Sequence, residues 1–248
     1  MAKWKKIIVA GNLIIETVYP RVNSTDAPKV RAAKKKLSSE AQQRMNLKYS
    51  YQKLELLLAA NFVPGDLICT LTYKDGCLPS SRKEAEARLK YFRSKLSALR
   101  KKHKLSFRMA WNSEHRHGLG RWHHHCVINA TGDDIETLQK LWPHGHVDIM
   151  PLKLDKDHSY EGLARYLAKE ERDKVGQRSW SYTRSCRQPE VETFIVPDDT
   201  PLQAPKGSVI MEQASESTAY GSYKYIKYLT TPAAAKRRVR ARRRVRRK

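Results

Sequence analysis

This sequence lacks several features, and each absence excludes a class of protein. The four cysteines form no Cys-x-x-Cys pair, which argues against a zinc ribbon and favours reduced thiols over a disulfide framework. No apolar stretch is long enough to span a bilayer. The apolar run near the N-terminus, residues 7–10, is interrupted too early for a signal peptide. We therefore expect a cytoplasmic protein with no membrane partner.

Acidic residues are also scarce compared with basic ones. The 248 residues contain 25 Asp and Glu against 49 Lys and Arg, a formal net charge of +24. Such an excess favours a polyanionic partner, and nucleic acid is preferred over an acidic membrane or a ribosome because phosphate neutralisation releases counterions. No Gly-x-x-x-x-Gly-Lys loop occurs, so a fused nucleotide-driven helicase is not expected.

The most informative stretch is the histidine-rich segment 120–128. It follows a glycine turn and ends in Cys126-Val127-Ile128, which predicts a β-strand. Side chains alternate between the two faces of a strand, so His123 and His125 project together while His124 points the other way. Two imidazoles on one face can share a metal ion.

The preceding segment, residues 107–114, is predicted to be the partner strand of a hairpin. A turn centred on residues 118–119 places Glu114 opposite His123 and Asn112 opposite His125. Two imidazoles and a carboxylate suit a divalent ion such as Mn²⁺ or Mg²⁺ and leave positions open for substrate. A structural zinc site or a merely polar strand would give the same pattern.

At these residues the sequence resembles the HUH endonucleases, and specifically the rolling-circle replication initiators of phages and small plasmids. The family has a hydrophobic residue between the two histidines, where this chain has His124. Its second motif, a tyrosine and a lysine three residues apart on a helix, is matched by Tyr166 and Lys169. Residues 69–73 are similar to its first strand, and the resemblance covers roughly residues 60 to 190, about one domain.

The resemblance implies a replication initiator that nicks single-stranded DNA at an origin. Tyr166 would attack the scissile phosphate, forming a 5′-phosphotyrosyl intermediate and a free 3′-hydroxyl. Mn²⁺ or Mg²⁺ held by Glu114, His123 and His125 would stabilise the developing charge. Lys169 would favour the phenolate, contact phosphate or position the metal. The expected setting is the cytoplasm of a bacterial host, with a separate helicase and polymerase and no small-molecule substrate.

Two other functions stay open. A single-tyrosine transposase or a plasmid-mobilising relaxase would share the chemistry and differ in its DNA. A non-enzymatic nucleic-acid-binding protein with a structural metal would lose its fold when the metal is removed. Tyr160 lies six residues before Tyr166, on a different helical face, so a single catalytic tyrosine is predicted.

The predicted fold is α+β, a ferredoxin-like or RRM-like antiparallel sheet in βαββαβ order with helices on one face, plus N- and C-terminal extensions. The predicted segments are an N-terminal hairpin and helix packing on the core (1–60), the endonuclease domain (61–190), a C-terminal hairpin extension (191–235) and a disordered basic tail (236–248). Within them, the proline-containing residues 187–206 are predicted to be a connecting arm.

Contacts with DNA are predicted at several basic or aromatic positions. Trp180 could stack on a base and Arg184 could bind phosphate, although a half-buried strand gives the same alternation. In the tail, ten of 13 residues are Lys or Arg, which predicts sequence-independent affinity for DNA. The predicted DNA-binding residues are Arg121, Trp180, Arg184, Lys236, Arg237 and Arg238.

Overall fold

The computed structural model describes residues 3–20, 39–115, 120–132, 134–169, 178–197, 199–218 and 221–231. The strands in these ranges are β1 (Lys3–Ala10), β2 (Leu13–Pro20), β3 (Leu67–Thr72), β4 (Met109–Glu114), β5 (His123–Ile128), β6 (Val147–Pro151), β7 (Ser181–Tyr182), β8 (Glu190–Val196), β9 (Val209–Thr218) and β10 (Gly221–Leu229). The α-helices are α1 (Glu40–Asn61), α2 (Arg82–Lys102), α3 (Asp134–Leu141) and α4 (Glu161–Ala168). Within the described ranges, no helix combines the length and hydropathy needed to cross a membrane.

One antiparallel sheet has the strand order β6-β3-β5-β4-β7. Its first four strands follow the chain order β3-α2-β4-β5-α3-β6, which is the βαββαβ arrangement of a ferredoxin-like fold. The predicted α+β class with an antiparallel sheet is therefore confirmed. The histidine strand β5 lies at the centre of the sheet, between β3 and β4.

The four helices divide between the two faces of this sheet. Helices α2 and α3 pack on one face against apolar side chains that include Leu71 and Cys126, whereas α1 and α4 pack on the other against Ala110 and Val127. The predicted single helical face therefore holds only for the two crossover helices. The reason lies in the strands, because both alternating sets of their side chains include apolar residues and each set needs cover.

The two longest helices begin where the sequence predicts. Ser39 caps α1 and Ser81 caps α2, each hydroxyl accepting from the backbone N–H three residues later. The predicted apolar stripe of α2 is buried at Leu89, Phe92 and Leu96. Capping and periodicity, both local properties, therefore fix these elements.

The chain forms two compact units that are discontinuous in sequence. One comprises residues 34–187, and the other joins residues 1–33 to residues 188–248. The second unit holds an antiparallel sheet of order β8-β1-β2-β10-β9. The grouping differs from the predicted segments 1–60 and 191–235, because the N-terminal hairpin pairs with β8 and β10 while α1 packs with the first unit.

The terminal hairpins themselves match their sequence signals. Strands β1 and β2 are joined through Gly11, whose φ of 62° suits the first central position of the predicted type II′ turn. Strands β9 and β10 form the predicted second hairpin. The predicted basic tail, residues 236–248, lies outside the described residues.

The segment predicted as a connecting arm contains a full strand, β8, which pairs with β1 from Lys3 to Val9. The prediction of an arm is wrong for residues 190–196. Pro189 and Pro197 stand immediately outside the strand, so they limit its ends without removing a ladder hydrogen bond. Between them Glu190–Val196 has the β-branched and aromatic content of a strand.

A buried ion pair ties α2 to the start of α3. The Arg100 guanidinium donates to Asp134 Oδ1 at 2.8 Å and to Asn129 Oδ1 at 3.0 Å. Burial alone would raise the pKa of Asp134, but hydrogen bonds from Thr131 and the charge of Arg100 outweigh it and leave the pKa below its ordinary value. The carboxylate therefore stays charged inside the fold.

Replacing this carboxylate is expected to destabilise the protein strongly. Asp134→Ala leaves the Arg100 charge buried without its counterion, and should lower the free energy of unfolding by about 3–5 kcal/mol. Glu136→Ala in the same helix is the matched control, because the Glu136–Lys140 pair is exposed and should contribute less than about 1 kcal/mol. Urea unfolding of both variants measures the difference, and equal losses would contradict the assignment.

Candidate active site

The predicted pairing of the histidine strand is confirmed. In the β4–β5 pair Glu114 lies opposite His123 and Asn112 lies opposite His125. The four side chains therefore share one face of the sheet, the face that α1 and α4 partly cover. The turn predicted at residues 118–119 lies outside the described residues.

Three donor groups converge on this face. Glu114 Oε2 lies 3.4 Å from His125 Nε2 and 3.6 Å from His123 Nε2, and all three donor atoms lie within 4.8 Å of one another. Glu114 is only 4% exposed, yet its Oε2 has no hydrogen-bond partner among the residues that the structure describes. A buried carboxylate oxygen without a donor is costly, and a cation would satisfy it. The cluster could therefore hold a divalent metal ion.

The far side of each imidazole faces an oxygen atom. His123 Nδ1 lies 3.0 Å from the Arg121 carbonyl, which can only accept, so this nitrogen carries the proton and leaves Nε2 free to bind. His125 Nδ1 lies 3.2 Å from the Thr70 hydroxyl. Burial, reinforced by His123, lowers the pKa of His125 to about 4, which keeps its ring neutral near pH 7. Neutral imidazole is the form that binds metal.

His124 belongs to the opposite face and is fully buried. Its Nε2 lies 2.8 Å from the Tyr73 hydroxyl and its Nδ1 lies 2.8 Å from the Ser113 hydroxyl. Burial lowers the pKa of His124 to about 3, so this ring too is neutral. Both of its nitrogens are engaged on the α2 and α3 side of the sheet, where it serves as a structural polar residue.

His124→Leu is expected to destabilise the fold while sparing the metal cluster. The substitution leaves the Tyr73 and Ser113 hydroxyls buried without their partner, at about 1–3 kcal/mol for each group. His146→Leu, at an exposed histidine, should change stability by less than about 0.5 kcal/mol. Urea unfolding and Mn²⁺ titration test the pair, and a loss of Mn²⁺ binding with unchanged stability would show that His124 is a ligand.

Tyr166 reaches the donor cluster from α4. Its hydroxyl lies 3.0 Å from His125 Nε2, and the two rings meet edge to face with centroids 5.0 Å apart. Tyr166 is 42% exposed, whereas its neighbour Leu167 is buried against α1 and the sheet. Asn112 Nδ2 donates to the Leu167 carbonyl at 3.0 Å, which fastens the end of α4 to β4. The helix is thus held with its phenol over the imidazoles.

Lys169 completes the cluster at the C-terminal end of α4. Its Nζ lies 3.9 Å from the centroid of the Tyr166 ring and 3.4 Å from Glu114 Oε1. The cation therefore lies beside both the phenol and the carboxylate. The predicted pairing of Tyr166 with Lys169 brings both residues to the histidine site.

Tyr160, the other tyrosine of this segment, does not reach the cluster. It is buried in the core formed with α1, and its hydroxyl donates to the Phe62 carbonyl at 3.5 Å. Burial raises the pKa of Tyr160 to about 12, which disfavours a phenolate there. This position agrees with the prediction of one catalytic tyrosine.

The predicted DNA-binding residues lie in different settings, and their contacts with DNA stay predictions. Arg121 is exposed next to His123 and forms an ion pair with Asp75. The Trp180 indole donates to Ser50 Oγ at 2.9 Å and packs on the α1 and α4 core, which is the half-buried alternative. Arg184 is exposed. The tail residues Lys236, Arg237 and Arg238 lie outside the described residues.

Two polar contacts of the site carried no predicted role. Thr70 touches His125 from β3, and Asn112, which the predicted register placed beside His125, is buried and anchors α4. The alternation of residues 67–73 puts Thr70 and Thr72 on one face. It does not reveal that β3 is the second neighbour of β5, because that pairing is between strands about 50 residues apart.

Comparison with known proteins agrees with this geometry. Residues 66–171 match a family model described as a replication-associated protein of the ORF2 type, and this segment includes β3 to β6, α4, the donor cluster and Tyr166. Searches of curated proteins and of solved structures gave no match. The family match and the Glu–His–His cluster together confirm the resemblance to rolling-circle replication initiators.

Proposed function

We propose that this chain, which matches a replication-associated family over residues 66–171, nicks single-stranded DNA at a replication origin by tyrosine attack. The observation that carries the proposal is the placement of the Tyr166 hydroxyl 3.0 Å from His125 Nε2, within the Glu114, His123 and His125 donor cluster. A nucleophile beside a set of metal donors is the arrangement that phosphodiester cleavage requires.

The donor cluster fits a divalent ion such as Mn²⁺ or Mg²⁺, because it combines one carboxylate with two neutral nitrogens. When bound, such an ion would supply positive charge to the scissile phosphate oxygens. Glu114 and the two histidines would hold it, and the exposed side of the cluster at Tyr166 would admit the DNA backbone.

The covalent step belongs to Tyr166. Its phenolic oxygen forms a bond to phosphorus as the bond from phosphorus to the 3′ oxygen breaks, giving a 5′-phosphotyrosyl protein and a free 3′-hydroxyl. The phenol loses one proton and the leaving oxygen gains one, so the reaction is balanced and reversible. Lys169, beside the Tyr166 ring, favours the phenolate electrostatically.

Substrate and partners follow from charge and access. In-line attack requires an exposed backbone, so the substrate is single-stranded DNA or an extruded origin hairpin. The net charge of +24 favours tight, salt-dependent binding to it. A separate helicase and polymerase would open the duplex and extend the 3′-hydroxyl, in the cytoplasm of a bacterial host.

A structural zinc site in a non-enzymatic binding protein is less consistent with the geometry. Structural zinc sites are usually closed by four ligands. The cluster found among the described residues has three donors of the His, Cys, Asp and Glu types, and the His123 side chain is 25% exposed. A transposase or relaxase would use the same residues and differ in the DNA that it cuts.

A strand-cleavage assay tests the proposal. Labelled single-stranded oligonucleotides, including candidate origin hairpins and transposon-end sequences, are incubated with the protein and Mn²⁺ or with EDTA. We expect Mn²⁺-dependent cleavage with a labelled protein adduct on a denaturing gel, preferentially at origin sequences. Preference for element ends or transfer origins would favour a transposase or relaxase. Tight binding without cleavage of any substrate would favour the non-enzymatic alternative.

A further inference from the structure

Thr70 makes a contact that the proposed function leaves unused. It lies directly opposite His125 in the β3–β5 pair, and its Oγ1 lies 3.2 Å from His125 Nδ1. His125 is 7% exposed, so water has little access to replace this partner. Thr70 belongs to the segment 69–73, the part of the family resemblance to which the proposed chemistry gives no role.

The hydrogen bond at Nδ1 decides what Nε2 can do. A neutral imidazole carries one proton, so a proton on Nδ1 leaves a lone pair on Nε2, and the reverse tautomer removes that lone pair. For His123 the Arg121 carbonyl enforces the Nδ1–H tautomer, because a carbonyl cannot donate. For His125 the corresponding partner is Thr70, whose hydroxyl oxygen can accept from Nδ1–H.

The other contact of His125 agrees with this tautomer. The Tyr166 hydroxyl lies 3.0 Å from Nε2 and can donate to a lone pair there. Glu114 Oε2, 3.4 Å away, is an acceptor without a hydrogen-bond partner among the described residues, so it receives no proton from Nε2. Both neighbours are compatible with an unprotonated Nε2 that faces the donor cluster.

We propose that Thr70 is a positioning residue for the metal ligand His125. Its hydroxyl accepts from Nδ1–H, selects the tautomer with a free Nε2 and fixes the plane of the ring toward Glu114. This inference rests on the metal site of the proposed function and extends it to β3. Partners of this kind behind ligand histidines typically change metal affinity by about 10- to 100-fold.

Thr72 provides a matched control on the same strand and face. Its hydroxyl donates to the backbone carbonyl of His146 at 3.1 Å, away from both imidazoles. Replacing either threonine by valine exchanges a hydroxyl for a methyl group and keeps the β-branched shape that strands favour. A difference between the two variants therefore reports on the contact with His125, since the change in strand propensity is the same.

The test measures Mn²⁺ binding and the His125 tautomer. In isothermal titration, Thr70→Val should weaken Mn²⁺ binding by about tenfold or more, whereas Thr70→Ser and Thr72→Val should bind like wild type. In ¹⁵N spectra of metal-free, histidine-labelled protein, wild type and Thr70→Ser should show His125 protonated at Nδ1, and Thr70→Val should gain the other tautomer. Thr70→Ala replaces the valine variant if that variant does not fold.

The two readouts separate this inference from the proposed function. Wild-type affinity and an unchanged tautomer in Thr70→Val would overturn the role of Thr70 while leaving the metal site intact. If wild type binds no Mn²⁺, the metal-dependent function fails, and the tautomer spectra alone decide on Thr70. Equal weakening in Thr70→Val and Thr72→Val would also overturn the role, because only a general effect on β3 would then explain the loss.

Discussion

Tyr166→Phe is expected to abolish the covalent protein–DNA adduct, with a fall in yield of at least roughly a thousandfold. The substitution removes only the hydroxyl that lies 3.0 Å from His125 Nε2. The ring and its contacts with His125 and Lys169 stay in place, so α4 should keep its position. Adduct formation with labelled single-stranded DNA, read on a denaturing gel, measures the effect.

Tyr182→Phe is the matched control for this variant. Tyr182 is 36% exposed, similar to Tyr166, and it lies on β7 of the same sheet, opposite Ala110. We expect the control to form the adduct at the wild-type level. DNA-binding affinity should be similar in all three proteins, because neither change alters charge. An adduct that persists in Tyr166→Phe would mean that another residue is the nucleophile.

Glu114→Gln is expected to remove metal binding and, with it, DNA cleavage. The change keeps the size of the side chain but replaces a carboxylate oxygen that lies between two imidazoles with a neutral amide. We expect Mn²⁺ affinity to fall by at least about 100-fold, since one of three ligands and the only negative charge of the cluster are lost. Cleavage should fall below detection at Mn²⁺ concentrations that saturate wild type.

Stability in the presence of metal gives an independent readout of this variant. An ion at about 100 times its dissociation constant stabilises a protein by about 2.7 kcal/mol. Wild type should therefore unfold at a higher temperature in Mn²⁺ than in EDTA, and Glu114→Gln should show no difference. Asp148→Asn, an exposed carboxylate opposite Thr70 on the edge strand, should behave like wild type. Metal-dependent cleavage by Glu114→Gln would contradict the ligand assignment.

Much of the site could be predicted because it depends on local periodicity. The alternation of β5 separates His123 and His125 from His124, and the constant sum of opposed positions in a hairpin fixes Glu114 beside them. Capping residues likewise mark the starts of α1 and α2. Helical spacing brings Tyr166 and Lys169 together. These signals need only neighbouring residues.

The remaining features depend on contacts between segments that are distant in sequence. The pairing of β1 with β8 joins residues almost 190 positions apart, which no local pattern encodes. The burial of His124 requires α2 and α3 to cover its face of the sheet, and its partner Tyr73 comes from beyond the end of β3. Prolines near β8 suggested an arm because their position relative to the ladder depends on that same distant pairing.

The most direct test of the account is to identify the residue that carries DNA. Full-length protein is incubated with the cleaved single-stranded substrate and Mn²⁺, the adduct is digested with protease and nuclease, and the modified peptide is sequenced by mass spectrometry. We predict a nucleotide 5′-phosphate esterified to Tyr166, absent when EDTA replaces Mn²⁺. A nucleotide on another residue, or cleavage by hydrolysis with no covalent product, would contradict the proposed mechanism.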